Sequence, residues 1–348
     1  MVAQLELITG KAPAETTARA GAEVSDRLEE MLGRYLGAGI LAAIGDPDVT
    51  EVYVNPQDCA VRYDTRSRGK VDSGEFIDGH RVEMFLNAVA SRLGVTLTSA
   101  SPRLEAELPV RVFSGARLQG FIPPVTSGPA FNIRKPASSI YSIDDYVASG
   151  VLAEDQAIVL RATIAERKNI LVVGGTNTGK TTLANALLHE IAIQFPADRV
   201  VILEDTVELQ CAARDQLALR TTTSTTLADL LRSALRTSPS RIIVGEVRGA
   251  EALDLLDAWA TGHPGGVATL HASTAEGALT RLDRLAQRAN VPPQAELVAE
   301  AVHLVVVIDG HHSRRRVTEI TRVRGLDRRG HFVLQRLRDA TPRLGELQ

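Results

Sequence analysis

The stretch "GGTNTGKT", residues 174–181, constrains this chain more than any other. It follows the apolar run "NILVV" and opens the helical stretch "TTLANALLHEIAIQF". A glycine-rich turn between a buried strand and a helix, ending in Gly-Lys-Thr, matches G-x-x-x-x-G-K-[ST] in the context that pattern requires. Backbone N–H groups of such a loop, together with the helix N-terminus, converge on an anion. The motif therefore predicts a nucleotide phosphate site built from Gly174, Gly175, Thr176, Asn177, Thr178, Gly179, Lys180, Thr181 and Thr182. Gly179 lets the backbone approach closely, Lys180 reaches the β- and γ-phosphates, and the Thr181 hydroxyl sits on Mg²⁺. ATP and Mg²⁺ are the expected cofactors.

The surroundings of the motif set the fold class. Short apolar strands ("NILVVGG", "RVVILED", "RIIVGE", "GVATLHA") alternate with helical stretches, which predicts a parallel sheet covered on both faces. "HLVVVID", "RRVTEITRVRG" and "HFVLQRL" read as further strands joined by short turns. The 348 residues exceed what one compact core usually takes. Residues 1–22, rich in Ala, Thr and Glu, read as a loose tail, and 23–135 as a smaller α+β domain. In that domain the pattern predicts one helix from Val24 to Ile44, stopped by Asp46-Pro47, and a hairpin of "VTEVYVNP" with "AVRYD". A second helix, "HRVEMFLNAVASRLG", ends at Gly94, and "RVFSGARLQGFIPPV" and "AFNIRKP" read as strands. Residues 136–150, "PASSIYSIDDYVASG", read as a linker, and 151–348 as the α/β phosphate-binding domain.

Composition narrows the classes. A formal net charge of −3 gives no global pull toward nucleic acid or an anionic membrane. Cys59 and Cys211 stand alone, which excludes a disulfide framework or a CxxC zinc ribbon and fits a reducing compartment. The first residues lack a basic segment followed by an apolar one, so no signal peptide is expected. No apolar run reaches the roughly 18 to 20 residues that span a bilayer. A cytoplasmic or peripheral location is the expectation. No guanine-recognition motif of the NKxD type is present, which argues against a GTPase.

"RIIVGEVRGAEALDLLDAW", residues 241–259, is a buried strand ending in Gly245-Glu246. Where a neighbouring strand usually delivers an Asp beside Mg²⁺, this chain has Gly245, and Glu246 is left to orient and deprotonate an attacking water. Another carboxylate is then needed. "VILEDTVEL" places Glu204 and Asp205 at a strand end, where they would hold a Mg²⁺-bound or attacking water; Asp205 is the candidate metal ligand and Glu208 the weaker one. His271 ends the strand "GGVATLHA", 25 residues beyond Glu246, enough for a crossover helix and a return strand. It reads as a γ-phosphate sensor. His263, in "TGHPGG", reads as shaping its turn or as a subunit contact. No Cys or third ligand joins the two histidines in a zinc pattern.

Four stretches in this order, "GGTNTGKTT", "ILEDTVEL", "SALRTSPSRIIVGEVRGAEALDLLDAWATGHPG" and "GHPGGVATLHA", resemble the secretion-superfamily traffic ATPases. Within that superfamily, "LQGFIPPVTSGPAFNIRKP" and the compact N-terminal domain are most similar to the conjugal-transfer ATPases and their type IV secretion relatives. The resemblance implies a C-terminal RecA-like P-loop domain and an ATPase that powers conjugal transfer or secretion. It also implies a homo-oligomer, a hexameric ring on the cytoplasmic side of the inner membrane with inner-membrane components of the apparatus as partners. By the same resemblance, Arg117 and Arg134 reach toward phosphates from the N-terminal domain, with Arg103 a weaker candidate. The family often carries Pro-Asp-Arg before the Glu strand, whereas this chain has Pro239-Ser240-Arg241, a looser turn. Two cysteines cannot build the tetracysteine zinc element of type II secretion motors.

Three other readings compete: a pilus or type II secretion motor, a DNA-stimulated P-loop motor, and a nucleotide-dependent switch. The Arg-rich "RRRVTEITRVRGLDRRGHFVLQRLR" favours the DNA-stimulated motor, but Glu319, Asp327 and Asp339 punctuate it, and a hairpin of solvated arginines accounts for it. No sequence-specific nucleic-acid binding is expected. A pure switch needs neither Glu246 nor His271.

Overall fold

The computed structural model describes residues 27, 29–136, 140–222, 224–311 and 314–337. The expected N-terminal tail, the start of the first expected helix and Asp339 lie outside these residues. The chain forms two compact units, Met1–Ser138 and Ser139–Gln348.

In the first unit, α1 (29–36) and α2 (Ala38–Gly45) replace the single helix expected up to Ile44. Gly37 divides them, with φ at +89°, a backbone conformation that side chains other than glycine rarely adopt. Then follow β1 (Val49–Val54), β2 (Ala60–Thr65), β3 (Gly69–Phe76), α3 (Gly79–Arg92), β4 (Arg103–Glu107), α4 (Val110–Phe113), β5 (Arg117–Phe121) and β6 (Ala130–Arg134). The strands form one antiparallel sheet in the order β3-β2-β1-β6-β5-β4. The stretch read as a strand from Arg111 begins instead as α4. Phe113 is fully buried there, 6.4 Å from the Phe85 ring, and Phe85 lies edge-on to Phe131 at 5.8 Å. Burying that ring from a helical turn outweighs the strand propensity of "RVF".

The second unit contains α5 (Ile143–Ala148), α6 (Glu154–Ala165), β7 (Ile170–Gly174), α7 (Lys180–Gln194), β8 (Arg199–Glu204), β9 (Asp215–Arg220) and α8 (Leu227–Ala234). It continues with β10 (Arg241–Val244), α9 (Glu251–Ala260), β11 (Val267–His271), α10 (Ala275–Ala286), α11 (Ala295–Ala301), β12 (Leu304–Asp309), β13 (Arg316–Leu326) and β14 (Phe332–Arg336). Residues 143–148 of the expected linker are therefore helix. Ser142 and Asp145 form a reciprocal cap at the start of α5, and Ile143 and Tyr146 are buried in this unit's core.

The sheet order is β14-β13-β12-β7-β11-β10-β8-β9. The run from β12 to β9 is parallel, and β13 and β14 close the other edge as an antiparallel pair. The Arg-rich stretch thus forms the expected hairpin. Alternation along β7 sends Leu171 and Val173 to one core and Ile170 and Val172 to the other. Helices α8 to α11 cover the first face and α5 to α7 the second, as the apolar strand runs predict. β9 was not among the expected strands, because as an edge strand it alternates exposed and half-buried residues without an apolar run.

At the amino ends of β8 and β10 a charged cluster is buried. Arg241, with no exposed surface, donates to Asp198 at 2.7 Å and to the Gly265 carbonyl at 2.9 Å. Arg167 donates to the other Asp198 oxygen at 2.6 Å, and both guanidiniums lie about 4.5 Å from the Phe195 ring centre. Ser240 accepts from the Arg199 N–H at 3.1 Å, so the Pro239-Ser240-Arg241 turn is held to β8 despite the missing Asp. Among the described residues, no helix is long and apolar enough to cross a membrane.

Removing Asp198 strands two guanidiniums, one of them fully buried. Asp198→Ala is expected to lower unfolding free energy by about 3 to 5 kcal/mol, the cost of breaking a buried pair. Asp215→Ala, which breaks the half-exposed pair with Arg199, is expected to cost less than about 1 kcal/mol. Urea unfolding of both variants checks the contrast.

Candidate active site

Parallel strands place their carboxyl ends along one edge of a sheet, and ligands of such sheets bind there. Here that edge collects the ends of β7, β8, β10 and β11. The 174–181 loop leaves β7 at Gly174 and enters α7 at Lys180, with Asn177 at φ +59° and Gly179 at φ +96°. The buried Thr178 hydroxyl donates to the Gly175 carbonyl at 3.0 Å, and Arg315 donates to the Asn177 carbonyl at 3.3 Å. The first turn of α7 leaves backbone N–H groups without helical acceptors, and the helix dipole adds positive potential at that end. A polyanion is the ligand this arrangement suits.

Lys180 is buried, and its ammonium donates to the Gly175 carbonyl at 2.7 Å. The same nitrogen lies 3.4 and 3.5 Å from the two ring nitrogens of His271. His271 Nε2 is 3.0 Å from Glu246 Oε1, and Arg248 donates to Glu246 Oε2 at 2.6 Å. Burial raises the Glu246 pKa. The hydrogen bond from Arg248, with the charges of Arg248, His271 and Lys180, outweighs it and holds the carboxyl below its usual range. Burial and the neighbouring Lys180 charge together lower His271, against the pull of Glu246, which favours a neutral imidazole at pH 7. The turn after β10 is tied to β11 twice: Val247 N–H donates to the Thr269 carbonyl at 2.9 Å, and the Thr269 hydroxyl donates to the Gly245 carbonyl at 2.6 Å.

The acidic stretch after β8 divides differently from the sequence reading. Glu204 is 5% exposed, and its Oε1 accepts the backbone N–H groups of Glu208 at 3.0 Å and Leu209 at 2.7 Å. It folds the loop back on itself. A side chain at Gly245 would meet Glu204 Cγ at 3.1 Å, a steric reason for glycine where a neighbouring strand usually delivers an Asp. Asp205, the expected metal ligand, accepts from Thr221 at 3.1 Å and faces Arg248 at 3.4 Å. Glu208, ranked weaker, is the carboxylate that meets the Thr181 hydroxyl, at 3.3 Å. Asn185, buried within α7, donates to the Glu208 carbonyl and accepts from Gln210 N–H, and so fastens this loop to the helix. A buried Asn inside "TTLANALL" and an Arg two residues beyond Glu246 were the signals available for Asn185 and Arg248.

The two histidines part company. His271 closes β11 at its carboxyl end beside Lys180 and Glu246, whereas His263 precedes the amino end of the same strand. Arg117 and Arg134 belong to the first unit, directly opposite each other on β5 and β6. Glu51 is opposite Arg134 on one side and Glu107 opposite Arg117 on the other, and Arg134 lies 3.7 Å from Glu51. Arg103 is opposite Phe121. Among the described residues, no group of three or more His, Cys, Asp or Glu is placed to hold a metal ion.

The family described as "Type II/IV secretion system protein" matches residues 52–329. The chain belongs to that family. It is 44% identical over 297 residues to a probable conjugal transfer protein TrbB of Sinorhizobium fredii, covering 85% of this chain and 90% of the relative. It is 43% identical over 306 residues to the conjugal transfer protein TrbB of Rhizobium radiobacter, covering 88% and 93%. Among solved structures it is similar to the pilus retraction motor PilT with bound ADP, at a TM-score of 0.57 and 19% identity, covering 85% of this chain and 80% of that one. That likeness shows a shared α/β fold. The secretion-family match includes every strand of the candidate site.

Burial pushes the Glu204 carboxyl from 4.5 up to about 7. A carboxyl raised on folding stabilises the protein below its unfolded pKa, and that contribution is lost as pH rises through the folded value. Gln at 204 keeps an acceptor oxygen for both N–H groups and carries no charge. The melting temperature of Glu204→Gln relative to wild type should therefore climb between pH 4.5 and about 7 and level off above, as read by thermal melts across that range. A difference independent of pH would sink the assignment.

Proposed function

We propose that this protein is a Mg²⁺-dependent ATPase whose second unit is a RecA-like P-loop domain, and that it powers a conjugative type IV secretion apparatus. One observation carries the reading. The phosphate loop, Lys180, the Thr181–Glu208 pair and the His271–Glu246 pair are assembled at the carboxyl ends of parallel strands. The names of the 43–44% identical relatives support conjugal transfer as the setting, and the ADP held by the similarly folded PilT supports an adenine nucleotide as ligand.

The residues fit Mg²⁺ in the way P-loop enzymes hold it, through one hydroxyl, phosphate oxygens and waters. Thr181 would supply the hydroxyl, and Glu208, which accepts from it at 3.3 Å, would supply a carboxylate to hold the ion beside it. When bound, the ion neutralises charge on the β- and γ-phosphates. Lys180 exchanges its bond to the Gly175 carbonyl for γ-phosphate oxygens and stabilises the transferred group. Neutral His271 donates its Nε2–H to Glu246 and keeps Nδ1 as an acceptor beside the Lys180 ammonium, so it holds the carboxylate and the ammonium in place relative to each other. Glu246 accepts a proton from water as the water oxygen bonds to the γ-phosphorus. The bond from that phosphorus to the bridging oxygen breaks, and its electron pair leaves with ADP.

The protein works as a ring of identical subunits, a hexamer, on the cytoplasmic side of the inner membrane, bound to membrane components of the apparatus. Glu246→Gln is expected to keep ATP binding while turnover falls at least ~100-fold, the typical loss on removing a general base. Fluorescent-nucleotide titration and phosphate release read the two quantities, and near-normal turnover would refute the assignment. Specific activity is expected to rise with protein concentration together with a shift to hexameric mass by light scattering. A monomer with constant turnover would break the ring reading.

A further inference from the structure

Arg248 stands between two carboxylates delivered by different strands. Its Nη2 donates to Glu246 Oε2 at 2.6 Å, and its Nη1 donates more weakly to Asp205 Oδ2 at 3.4 Å. Its backbone is pinned. The N–H groups of Arg248 and Gly249 both donate to Glu251 Oε1 at 2.6 Å, and Arg288 donates to the Arg248 carbonyl at 3.1 Å. The side chain is 53% exposed, so a shift between the two anions is a matter of side-chain torsions alone. The Thr221 hydroxyl holds the other oxygen of Asp205. Glu208, which also bears electrostatically on Arg248, is engaged with Thr181.

Both oxygens of Glu246 are thus occupied, Oε1 by His271 and Oε2 by Arg248. A short charge-assisted hydrogen bond stabilises the carboxylate and weakens it as a proton acceptor. A general base in this position needs its counter-ion to move off as the proton arrives. The guanidinium reaches an alternative anion without leaving its place, and His271 remains to orient Glu246.

We propose that Arg248 is a shared counter-ion, bridging the two carboxylates but drawn closer to Glu246 in the free protein, and moving fully onto Asp205 as Glu246 takes the proton from water. Asp205 then acts on hydrolysis through Arg248 and not through the metal. Both are positioning residues, and the inference rests on the ATPase reading above.

A double-mutant cycle on the full-length protein tests it. Asp205→Asn removes the alternative anion and is expected to lower kcat about tenfold, the equivalent of ~1.4 kcal/mol. The KM for ATP and the Mg²⁺ concentration for half-maximal rate are expected to stay within about twofold, since the change acts on the chemical step alone. Adding Asp205→Asn to Arg248→Ala is expected to change kcat by less than about twofold, because the group Asp205 acts through is gone. Multiplying effects, or a raised Mg²⁺ requirement in Asp205→Asn, would place Asp205 on the metal and overturn the proposal. Unchanged kcat in Asp205→Asn would overturn it as well. If Arg248→Ala does not fold, Arg248→Gln supplies a neutral side chain of similar length for the same cycle. Wild type and Glu246→Gln in the same assay separate the levels: no ATP turnover by the wild type defeats the ATPase reading, a wild type no faster than that variant defeats Glu246 as the base, and an additive cycle defeats only the coupling.

Discussion

The site depends on β7 lying inside a parallel run, with β12 on one side and β11 on the other. Its carboxyl end then opens between strands that point the same way, and each delivers its last residue to one edge of the sheet. From β11 comes His271, from β10 the turn to Glu246, and from β8 the acidic loop. An antiparallel neighbour would send its terminal residue to the opposite edge. The apolar character of β7 follows from the same constraint, because a strand with helices on both faces has no solvent side.

Electrostatics at this edge is a chain of shared partners. Lys180 neighbours His271, His271 meets Glu246, Glu246 meets Arg248, and Arg248 faces Asp205. Each group that would act on a phosphate or a water is bonded to another protein group in the meantime. Such a network is satisfied without a ligand, yet each link can be exchanged for a phosphate oxygen or a water. Glu204 has the opposite character. Buried and gripping two backbone N–H groups, it shapes the loop that carries Glu208.

At the amino ends of the same strands, rigidity comes from the Arg241–Asp198–Arg167 cluster stacked on Phe195. Its polar groups are largely paired and the ring closes one side, as a buried charge requires. The two edges of the sheet therefore differ in kind. Permanent ion pairs hold one, and exchangeable pairs line the other.

The sequence by itself determined the glycine-rich turn between β7 and α7 and the parallel layered architecture of the second unit, and it singled out Lys180, Thr181, Glu246 and His271, which the fold brings to one edge of the sheet. Local pattern suffices for these, since a glycine-rich turn between an apolar strand and a helix leaves few alternatives. Only the tertiary structure decided which acidic residue meets which partner. Glu204, Asp205 and Glu208 lie within five consecutive positions, and sequence spacing does not say how a loop folds back. Glu204, beside Gly245, grips the N–H groups of Glu208 and Leu209, and in the loop folded this way Glu208 meets Thr181 and Asp205 meets Arg248. The turn that buries Phe113 and the helix within the expected linker were likewise decided by packing. In each case burying a few apolar side chains outweighed the local preference that composition suggested.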